Sequence, residues 1–208
     1  MAQYFQIHPS NPQKRLIHQA VEILSQGGVI ALPTDSSYAI ACHIGDKRAL
    51  DTIRRIRQLS DKHNFTLVCK DLTQVSNFTK IGNDAYRLIK SLTPGPFTFL
   101  LDATKEVPRR LQHPKKKTVG IRVPDNIVTQ MILEELGEPL LSSTLILATQ
   151  TEAETDPYEI REKLEHELDL IIDFGIIESR ETTVIDCCAD NKIEILRQGI
   201  GHAPMLDS

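Results

Sequence analysis

The chain has 208 residues, enough for one domain with a full hydrophobic core. Its composition, 40% hydrophobic and 25% charged, is that of a globular protein, and no apolar run approaches the length of a membrane span. The first residues have neither the basic segment nor the hydrophobic segment of a secretion signal, so we expect a cytoplasmic protein.

The four cysteines show no CxxC spacing, and a chain of this length needs no disulfide bonds. We therefore expect reduced thiols. The seven histidines are scattered, with no HxxxH pattern, so no metal site is predicted.

The net charge of −4 hides a strong asymmetry. Residues 1–122 hold 19 Lys and Arg against 9 Asp and Glu, a charge of +10, whereas residues 123–208 hold 5 against 19, a charge of −14. This division suggests that the first part faces an anion such as a nucleotide or a nucleic acid. The alternative is that the two parts pack together and partly neutralise each other.

The first predicted helix follows Asn11-Pro12, with Asn11 as its N-cap, and ends at the pair Gly27-Gly28. A short buried strand over residues 29–32 comes next. It should end at Pro33, because proline cannot donate to a sheet ladder. A second helix begins at Asp46 as its N-cap.

Hydrophobic periodicity predicts further elements along the rest of the chain. They are strands at 65–69, 97–101, 119–123, 169–173, 183–186 and 193–197, and helices at 83–92, 126–136 (with Gly137 as C-cap) and 157–168. The stretch 140–147 is too polar at its centre for a simple buried strand. With no repeat or long linker, we predict one α/β domain over residues 12–200, with short termini at 1–11 and 201–208.

Five side chains that can form hydrogen bonds, residues 34–38, follow the strand that ends at Pro33. A polar loop at the end of a buried strand is a common place for a ligand in α/β proteins. The same residue types also form ordinary Asx and Ser turns, and on composition alone the turn is favoured.

Two groups of basic residues are candidates for phosphate binding; no P-loop, GxGxxG or GxSxG motif is present. Arg55, Arg57 and Lys62 could hold phosphates, although solvated arginines are common at helix ends. The basic segment could contact a nucleic-acid backbone or simply increase solubility. It comprises Lys105, Arg109, Arg110, Lys115, Lys116 and Lys117.

Arg122 lies inside an apolar strand, where an unpaired guanidinium is costly, so it must meet an internal Asp or a ligand carboxylate. Residues 142–144, two serines and a threonine in an apolar run, likewise need hydrogen-bond partners. Arg197 is another cation at the end of a strand. The pair Cys187-Cys188 is interpreted as core packing.

Six motifs in order carry a resemblance to a known family. They are Pro33-Thr34-Asp35 with Tyr38, Arg55-x-Arg57, Pro94-Gly95-Pro96-Phe97-Thr98-Phe99, Thr118-Val119-Gly120-Ile121-Arg122-Val123-Pro124, Thr182-Thr183-Val184-Ile185-Asp186 and Ile195-Leu196-Arg197-Gln198-Gly199. From about residue 12 to 200 the chain resembles the YrdC/YciO family. Residues 55–61 and 63–67 most resemble its YciO branch.

The resemblance implies a twisted mixed α/β (α+β) sheet flanked by helices, with a concave basic cavity. It implies a nucleotidyltransferase, L-threonylcarbamoyladenylate synthase, which makes threonylcarbamoyl-AMP and pyrophosphate from L-threonine, bicarbonate and ATP. In the family this product serves the threonylcarbamoyl modification of adenosine 37 in certain tRNAs. The alternative is a non-synthase paralogue that binds double-stranded RNA, tRNA or nucleotide in the same cavity.

The family pattern assigns roles to particular residues. At L-threonine it would place Thr34, Arg122 and Thr182, with Arg122 pairing the carboxylate. At ATP it would place Arg55, Arg57, Thr118, Ser142, Thr144 and Arg197, with Mg²⁺ carried in by the nucleotide. No protein nucleophile is implied.

Three departures from the synthase pattern affect these roles. Arg55 stands where the synthases have Lys, and the segment after Arg57 is longer. The synthase Ser-x-Asn becomes Thr144-Leu145-Ile146, and an isoleucine cannot make the hydrogen bonds of an amide. Cys69 replaces a frequent His, and alanines at 39 and 41 replace glycines. We expect these changes to preserve the fold but to weaken or specialise synthase turnover.

Overall fold

The structure, a computed structural model, describes residues 1–60, 63–188 and 192–206. Lys62, one of the predicted phosphate-binding residues, lies outside the described residues. Within those three ranges, none of the helices is both long and apolar enough to cross a membrane.

The strands and helices alternate along most of the chain. The strands are β1 (Gln3–Gln6), β2 (Ile30–Pro33), β3 (Tyr38–His43), β4 (Thr66–Val68), β5 (Thr79–Lys80), β6 (Phe97–Ala103), β7 (Thr118–Arg122), β8 (Leu140–Thr144), β9 (Leu170–Asp173), β10 (Thr183–Asp186) and β11 (Glu194–Arg197). The helices are α1 (Lys14–Ser25), α2 (Lys47–Arg57), α3 (Leu72–Phe78), α4 (Asn83–Leu92), α5 (Ile127–Leu136) and α6 (Pro157–Leu164), with 3₁₀ turns at Arg109–Leu111 and Pro204–Leu206.

All eleven strands of the described residues join one sheet, in the order β1-β9-β2-β3-β8-β4-β7-β6-β10-β11, with β5 paired to β6. The sheet contains parallel pairs, such as β4 with β7 and β6 with β10, and antiparallel pairs, such as β3 with β8 and β6 with β7. The predicted mixed sheet flanked by helices is therefore confirmed. Strands distant in sequence meet at the centre of this sheet, and their ends carry the candidate site.

The two faces of the sheet are covered unequally. One face packs against α2, α3, α4 and α6 in a large apolar cluster that runs from Val29 to Ala203. On the other face α1 and α5 cover only the β9-β2-β3 side and the ends of β4 and β8. Side chains alternate along a strand, so the part of this second face on which neither helix packs carries Thr66, Thr98, Gly120 and Ser142. We call these four residues the open face.

Local signals located several element ends correctly. Strand β2 ends at Pro33, α2 is capped by Asp46, whose Oδ1 accepts from Ala49 N at 2.8 Å, and Gly137 caps α5 at a φ of 75°.

The predicted N-cap at Asn11 is wrong, because α1 begins at Lys14 after a Gln13 whose side chain makes no cap. The helix predicted over 157–168 ends earlier, at Leu164.

Four elements had no sequence prediction: β1, β3, α3 and β5. Strand β1 lies within the stretch 1–11 that was expected to be a terminus and pairs in parallel with β9. Strand β3 forms an antiparallel hairpin with β2, which makes residues 34–37 the loop of that hairpin. This hairpin loop, rather than a crossover to a helix, carries the polar cluster that follows Pro33.

The polar stretch that was doubted as a simple buried strand does contain one, β8, with Ser142 and Ser143 buried at its centre. The Ser143 hydroxyl is paired with side chains from the α2 region. A buried strand accommodates this hydroxyl because side chains from outside the strand satisfy it.

Gly199 lies immediately after β11, where two segments approach closely. A Cβ at this position would lie 2.3 Å from Glu181 O and 2.4 Å from the carbonyl carbon of Thr182. The backbone N–H of Gly199 also donates to Thr183 Oγ1 at 2.9 Å. Glycine is therefore required here by space, and it fixes Thr182 beside Arg197.

We predict that Gly199→Ala lowers the free energy of unfolding by about 1–3 kcal/mol, because the methyl group must displace backbone atoms. Thermal melting measures the change. Gly45→Ala is the control, since its Cβ would meet its nearest neighbour, His43 Nδ1, at an ordinary 3.4 Å. Equal melting temperatures for the two variants would contradict the packing described.

Candidate functional site

Thr34 organises the β2–β3 loop through its hydroxyl. Thr34 Oγ1 accepts from the backbone N–H groups of Ser36 and Ser37, both at 3.2 Å, and donates to Ser37 O at 2.6 Å. The turn interpretation is thus confirmed for Thr34. The turn is also buried, and it directs the two residues after Thr34 toward Arg122 at the end of β7.

Arg122, the last residue of β7, meets the turn through a buried ion pair. Its Nη2 donates to Asp35 Oδ1 at 2.6 Å and to Ser36 Oγ at 3.0 Å. The side chains of Arg122 and Asp35 are only 10% and 9% exposed. Asp35 Oδ2 accepts in addition from the backbone N of Asp125 at 2.9 Å, so one carboxylate ties the turn to the segment before α5. Of the two partners expected from the sequence, the structure therefore provides the internal Asp.

The Arg122 guanidinium is not fully satisfied by this pair. Its Nε is buried and has no hydrogen-bond partner among the described residues. Burial lowers the pKa of Arg122, and Asp35 opposes that shift. Arginine nevertheless remains protonated in proteins, so the site holds a buried cation with unused donors. Such a group favours a ligand that brings oxygen acceptors.

Thr182 and Arg197 lie beside the same turn. The backbone N of Arg180 donates to Ser36 O at 2.9 Å, which anchors the segment before β10. Thr182 Oγ1 is 2.8 Å from Thr98 Oγ1. Arg197 Nη2 donates to Thr182 O at 3.0 Å. The structure thus brings Thr34, Arg122 and Thr182, which the family pattern places at L-threonine, into one region with Arg197, which it places at ATP.

The predicted nucleotide residues occupy different positions around the sheet. Ser142 lies on the open face, with its Oγ 3.4 Å from Thr66 O, and Thr144 is exposed at the end of β8. Thr118 lies at the opposite end of β7 from Arg122, next to Asp102 on β6. These residues line the open face or its ends, but no hydrogen bond among the described residues joins them to Arg122.

Arg57 and Arg55 point in different directions. Arg57 Nε donates to Ile146 O at 2.9 Å, and its Nη1 donates to Ser143 Oγ. Arg55 Nη1 instead pairs with Glu167 at 2.6 Å on the surface. The structure therefore does not bring the two arginines together.

His63 completes the cluster around Arg57. Its Nε2 is 2.9 Å from Ser143 Oγ, and its ring packs edge-on against Phe65. Burial lowers the pKa of His63, and the charges of Arg57 and Arg54 lower it further. In the neutral ring Nε2 can accept from the Ser143 hydroxyl, which in turn accepts from Arg57. This chain of hydrogen bonds holds Arg57 against β8.

The basic segment forms the β6–β7 connection, residues 104–117. Lys115, Lys116, Lys117 and Arg109 are exposed there, and Arg110 Nη2 donates to Gly45 O at 3.0 Å. This connection lies at the end of β7 that is farthest from Arg122. The RNA-binding candidates and the threonine-site candidates thus occupy separate regions.

All four cysteines are free and buried. Burial raises the pKa of Cys42, Cys187 and Cys188 to about 12, and it raises that of Cys69 as well. Thiols of this kind are poor nucleophiles at neutral pH, which agrees with their interpretation as core packing. The described residues contain no cluster of three His, Cys, Asp or Glu side chains that could hold a metal ion.

Sequence reasoning did not assign a role to Asp35, Ser36, His63 or Ser143. A signal for Asp35 was present, because a buried arginine needs an anion and this Asp follows a buried strand. Ser143 was recognised only as a hydroxyl in need of a partner. The Arg57–Ser143–His63 chain depends on residues 80 or more positions apart, which no local pattern reveals.

Comparison with known proteins agrees with this architecture. The Sua5/YciO/YrdC family model, described as "Telomere recombination", matches residues 22–199. The chain therefore belongs to this family. It is 53% identical to the uncharacterized protein YciO of Escherichia coli (strain K12) over 201 residues, 97% of each chain. The crystal structure of E. coli YciO matches at a TM-score of 0.93, covering 99% of this chain and 100% of that one.

Synthases are more distant relatives. The threonylcarbamoyl-AMP synthase of Vibrio vulnificus (strain YJ016) is 27% identical over 188 residues, 88% of this chain and 98% of that protein. The crystal structure of P. abyssi Sua5 complexed with L-threonine matches at a TM-score of 0.86 with 22% identity, covering 95% of this chain and 58% of that one. This second likeness shows a shared fold.

We predict that His63→Gln makes stability less dependent on pH. Because the folded protein lowers the pKa of His63 below its ordinary value of 6.5, the unfolded chain binds more protons as the pH falls, and stability is lost below that value. Urea unfolding at several pH values between about 7 and 5 measures the slope. His8→Gln, at an exposed histidine, is the control. Parallel slopes for wild type and His63→Gln would contradict the buried neutral ring.

Proposed function

We propose that the protein binds L-threonine and an adenine nucleotide along the open face and forms threonylcarbamoyl-AMP, slowly or in a specialised role. The observation that carries the proposal is the buried Asp35–Arg122 pair with unused guanidinium donors beside Thr34 and Thr182. The family membership and the named activity of the V. vulnificus relative support it.

In this proposal the threonine carboxylate binds Arg122. A carboxylate suits a guanidinium geometrically and electrostatically, and it satisfies donors that Asp35 leaves unused. The Thr182 and Thr34 hydroxyls are the neighbouring polar groups. Thr182 could exchange its bond to Thr98 for one to the substrate, whereas Thr34 shapes the pocket through its turn.

ATP enters as a substrate with Mg²⁺ on its phosphates, and in this proposal it binds next to the threonine held by Arg122. Arg197, which is bonded to Thr182 O and paired with Glu181, is a candidate cation there, and Ser142, Thr144 and Thr118 offer hydroxyls along the sheet. Mg²⁺ usually reaches such sites on the nucleotide phosphates. Arg57 and Arg55 can contact the ATP phosphates only if each leaves its present hydrogen-bond or ion-pair partners.

The chemistry needs positioning more than a protein nucleophile. The threonine amine and bicarbonate form a carbamate with loss of water. A carbamate oxygen then bonds to the α-phosphorus while the bond to the bridging oxygen breaks, and pyrophosphate leaves with the electron pair. The protein's contribution is to align the two substrates and to neutralise the charge of pyrophosphate.

Two features account for slow turnover in this proposal. Ile146 stands where the synthases have an amide, and its backbone carbonyl binds Arg57 Nε. Arg57 is thereby held by β8, and Arg55 is held by Glu167. Both cations must leave these partners before they can reach pyrophosphate, so stabilisation of the leaving group is reduced.

We predict pyrophosphate release from ATP that depends on L-threonine and bicarbonate. Arg122→Gln should reduce the rate by about 10- to 100-fold, because it removes a charge-assisted hydrogen bond to the substrate. Ile146→Asn should increase it by about 2- to 10-fold through one regained hydrogen bond. Arg87→Gln, an exposed arginine on α4, is the control.

Thermal melting must accompany this assay, because removing one partner of a buried pair can unfold the protein. Rates are compared at a temperature at which every variant is folded. Threonine-dependent release that survives in folded Arg122→Gln would refute the carboxylate assignment. Release that is absent in wild type and gained in Ile146→Asn would instead favour a binding paralogue.

The second candidate function is binding of double-stranded RNA or tRNA. The observation that favours it is the exposed basic connection between β6 and β7, especially Lys115 and Lys116 at its tip. The concave basic cavity implied by the resemblance would add to this surface. Phosphate contacts of this kind give affinity without sequence preference.

We predict that RNA affinity falls steeply as the salt concentration rises. In Lys115→Gln/Lys116→Gln the negative slope of log K against log[salt] should become less steep by roughly 1 for each lysine that binds a phosphate. Filter binding of a short RNA duplex at several salt concentrations measures it. Lys14→Gln/Lys90→Gln removes two exposed lysines elsewhere and should leave the slope unchanged. A flat salt response in wild type would exclude this function.

A further inference from the structure

The β6–β7 connection lines a cavity, open to solvent, that the proposed reaction does not use. Its volume is about 630 Å³, within the range of small-molecule sites. Its lining combines three cations, a histidine and an apolar wall. The lining residues are Ala103, Thr104, Lys105, Val107, Pro108, Arg109, Gln112, His113, Pro114 and Lys117. We call this the β6–β7 cavity.

The charge of this lining is unusual for the chain. It contains no Asp or Glu, although acidic residues outnumber basic ones in the sequence, 28 to 24. Four further cavities in the described part of the protein each include at least one acidic residue. Among the described residues, no ion pair involves Lys105, Arg109 or Lys117. The lining of the β6–β7 cavity therefore carries a net positive charge.

Backbone hydrogen bonds fix the shape of the cavity before any ligand arrives. Lys117 N donates to His113 O at 2.9 Å, and His113 N donates to Thr118 O at 2.8 Å, closing the tip. Ala103 N donates to Lys117 O at 3.0 Å, and Gln112 Nε2 donates to Val107 O at 2.8 Å. A site formed in advance loses less entropy on binding.

His113 is held as a hydrogen-bond donor. Its Nδ1 accepts from the backbone N of Lys115 at 3.3 Å and of Lys116 at 3.1 Å. A neutral ring whose Nδ1 accepts must carry its proton on Nε2. The cavity lining thus offers a guanidinium, two ammonium groups and an imidazole N–H, which are all donors.

We propose that the β6–β7 cavity binds a phosphate-bearing ligand. A phosphate group presents several oxygens and about two negative charges, which match a planar arginine fork flanked by lysines. The apolar wall of Val107, Pro108 and Pro114 leaves room for the organic part of a small phosphorylated molecule. The phosphate could belong to such a free molecule or to an RNA backbone, and the two sources are separable by experiment.

The test titrates pyrophosphate into ¹⁵N-labelled protein and follows the backbone amide signals of residues 104–118. This local readout separates the β6–β7 cavity from the open face, so it is independent of whether the protein is a synthase. We expect saturable shifts of these amides in wild type. Arg109→Gln/Lys117→Gln should weaken binding by at least about tenfold, because two charged donors are removed.

Matched variants locate the ligand. Lys14→Gln/Lys90→Gln removes the same charge from two exposed lysines outside the lining and should change the affinity by less than about threefold. Arg87→Gln, at an exposed arginine on α4, should leave the shifts intact. Thermal melting checks that each variant is folded.

Two results would overturn the proposal. One is the absence of saturable shifts at 104–118 with either pyrophosphate or a short RNA duplex. The other is equal weakening by Arg109→Gln/Lys117→Gln and by Lys14→Gln/Lys90→Gln, which would mean a diffuse charge effect. Shifts with pyrophosphate identify a small phosphorylated ligand as sufficient, whereas shifts with the duplex alone identify a nucleic-acid backbone as the source.

Discussion

The buried ion pair between Arg122 and Asp35 is the constraint on which the site depends. A guanidinium at the end of a central strand must be compensated, and Asp35 does this from a hairpin loop 87 residues earlier. The same carboxylate binds the backbone of Asp125, so the pair joins β2, β7 and the start of α5. Breaking it by removing one partner leaves a buried charge, which is why substitutions here need a stability control.

The unequal covering of the sheet explains why the open face is available beside that pair. Helices α1 and α5 cover one end of the second face and do not pack on Thr66, Thr98, Gly120 or Ser142, of which Thr66 and Thr98 are partly exposed. Arg57 approaches β8 on the side that α2 covers, through Ser143, whose side chain alternates with that of Ser142. The residues proposed for L-threonine thus lie together with Arg197, whereas Arg55 and Arg57 are held by Glu167 and by Ser143 and Ile146.

Much of the fold follows from local chemistry. Pro33 ends a strand, Asp46 caps a helix and Gly137 adopts a positive φ, and each could be predicted because it acts on its own neighbours. Strand β1 could not be predicted, since Gln3–Gln6 becomes a strand only by pairing with β9. The sequence likewise could not decide whether Arg122 meets an internal Asp or a ligand carboxylate, because Asp35 lies 87 residues away in the chain. The different directions of the Arg55 and Arg57 side chains could have been predicted, because residues two positions apart on a helix are rotated by about 200° about its axis.

Calorimetric titration with L-threonine tests the central claim most directly, because it separates binding at Arg122 from turnover. We predict that wild type binds L-threonine but not L-threoninol, which lacks the carboxylate, and that folded Arg122→Gln binds neither. Binding of L-threonine to Arg122→Gln with wild-type affinity would contradict the claim, as would equal affinity of the wild type for threonine and threoninol.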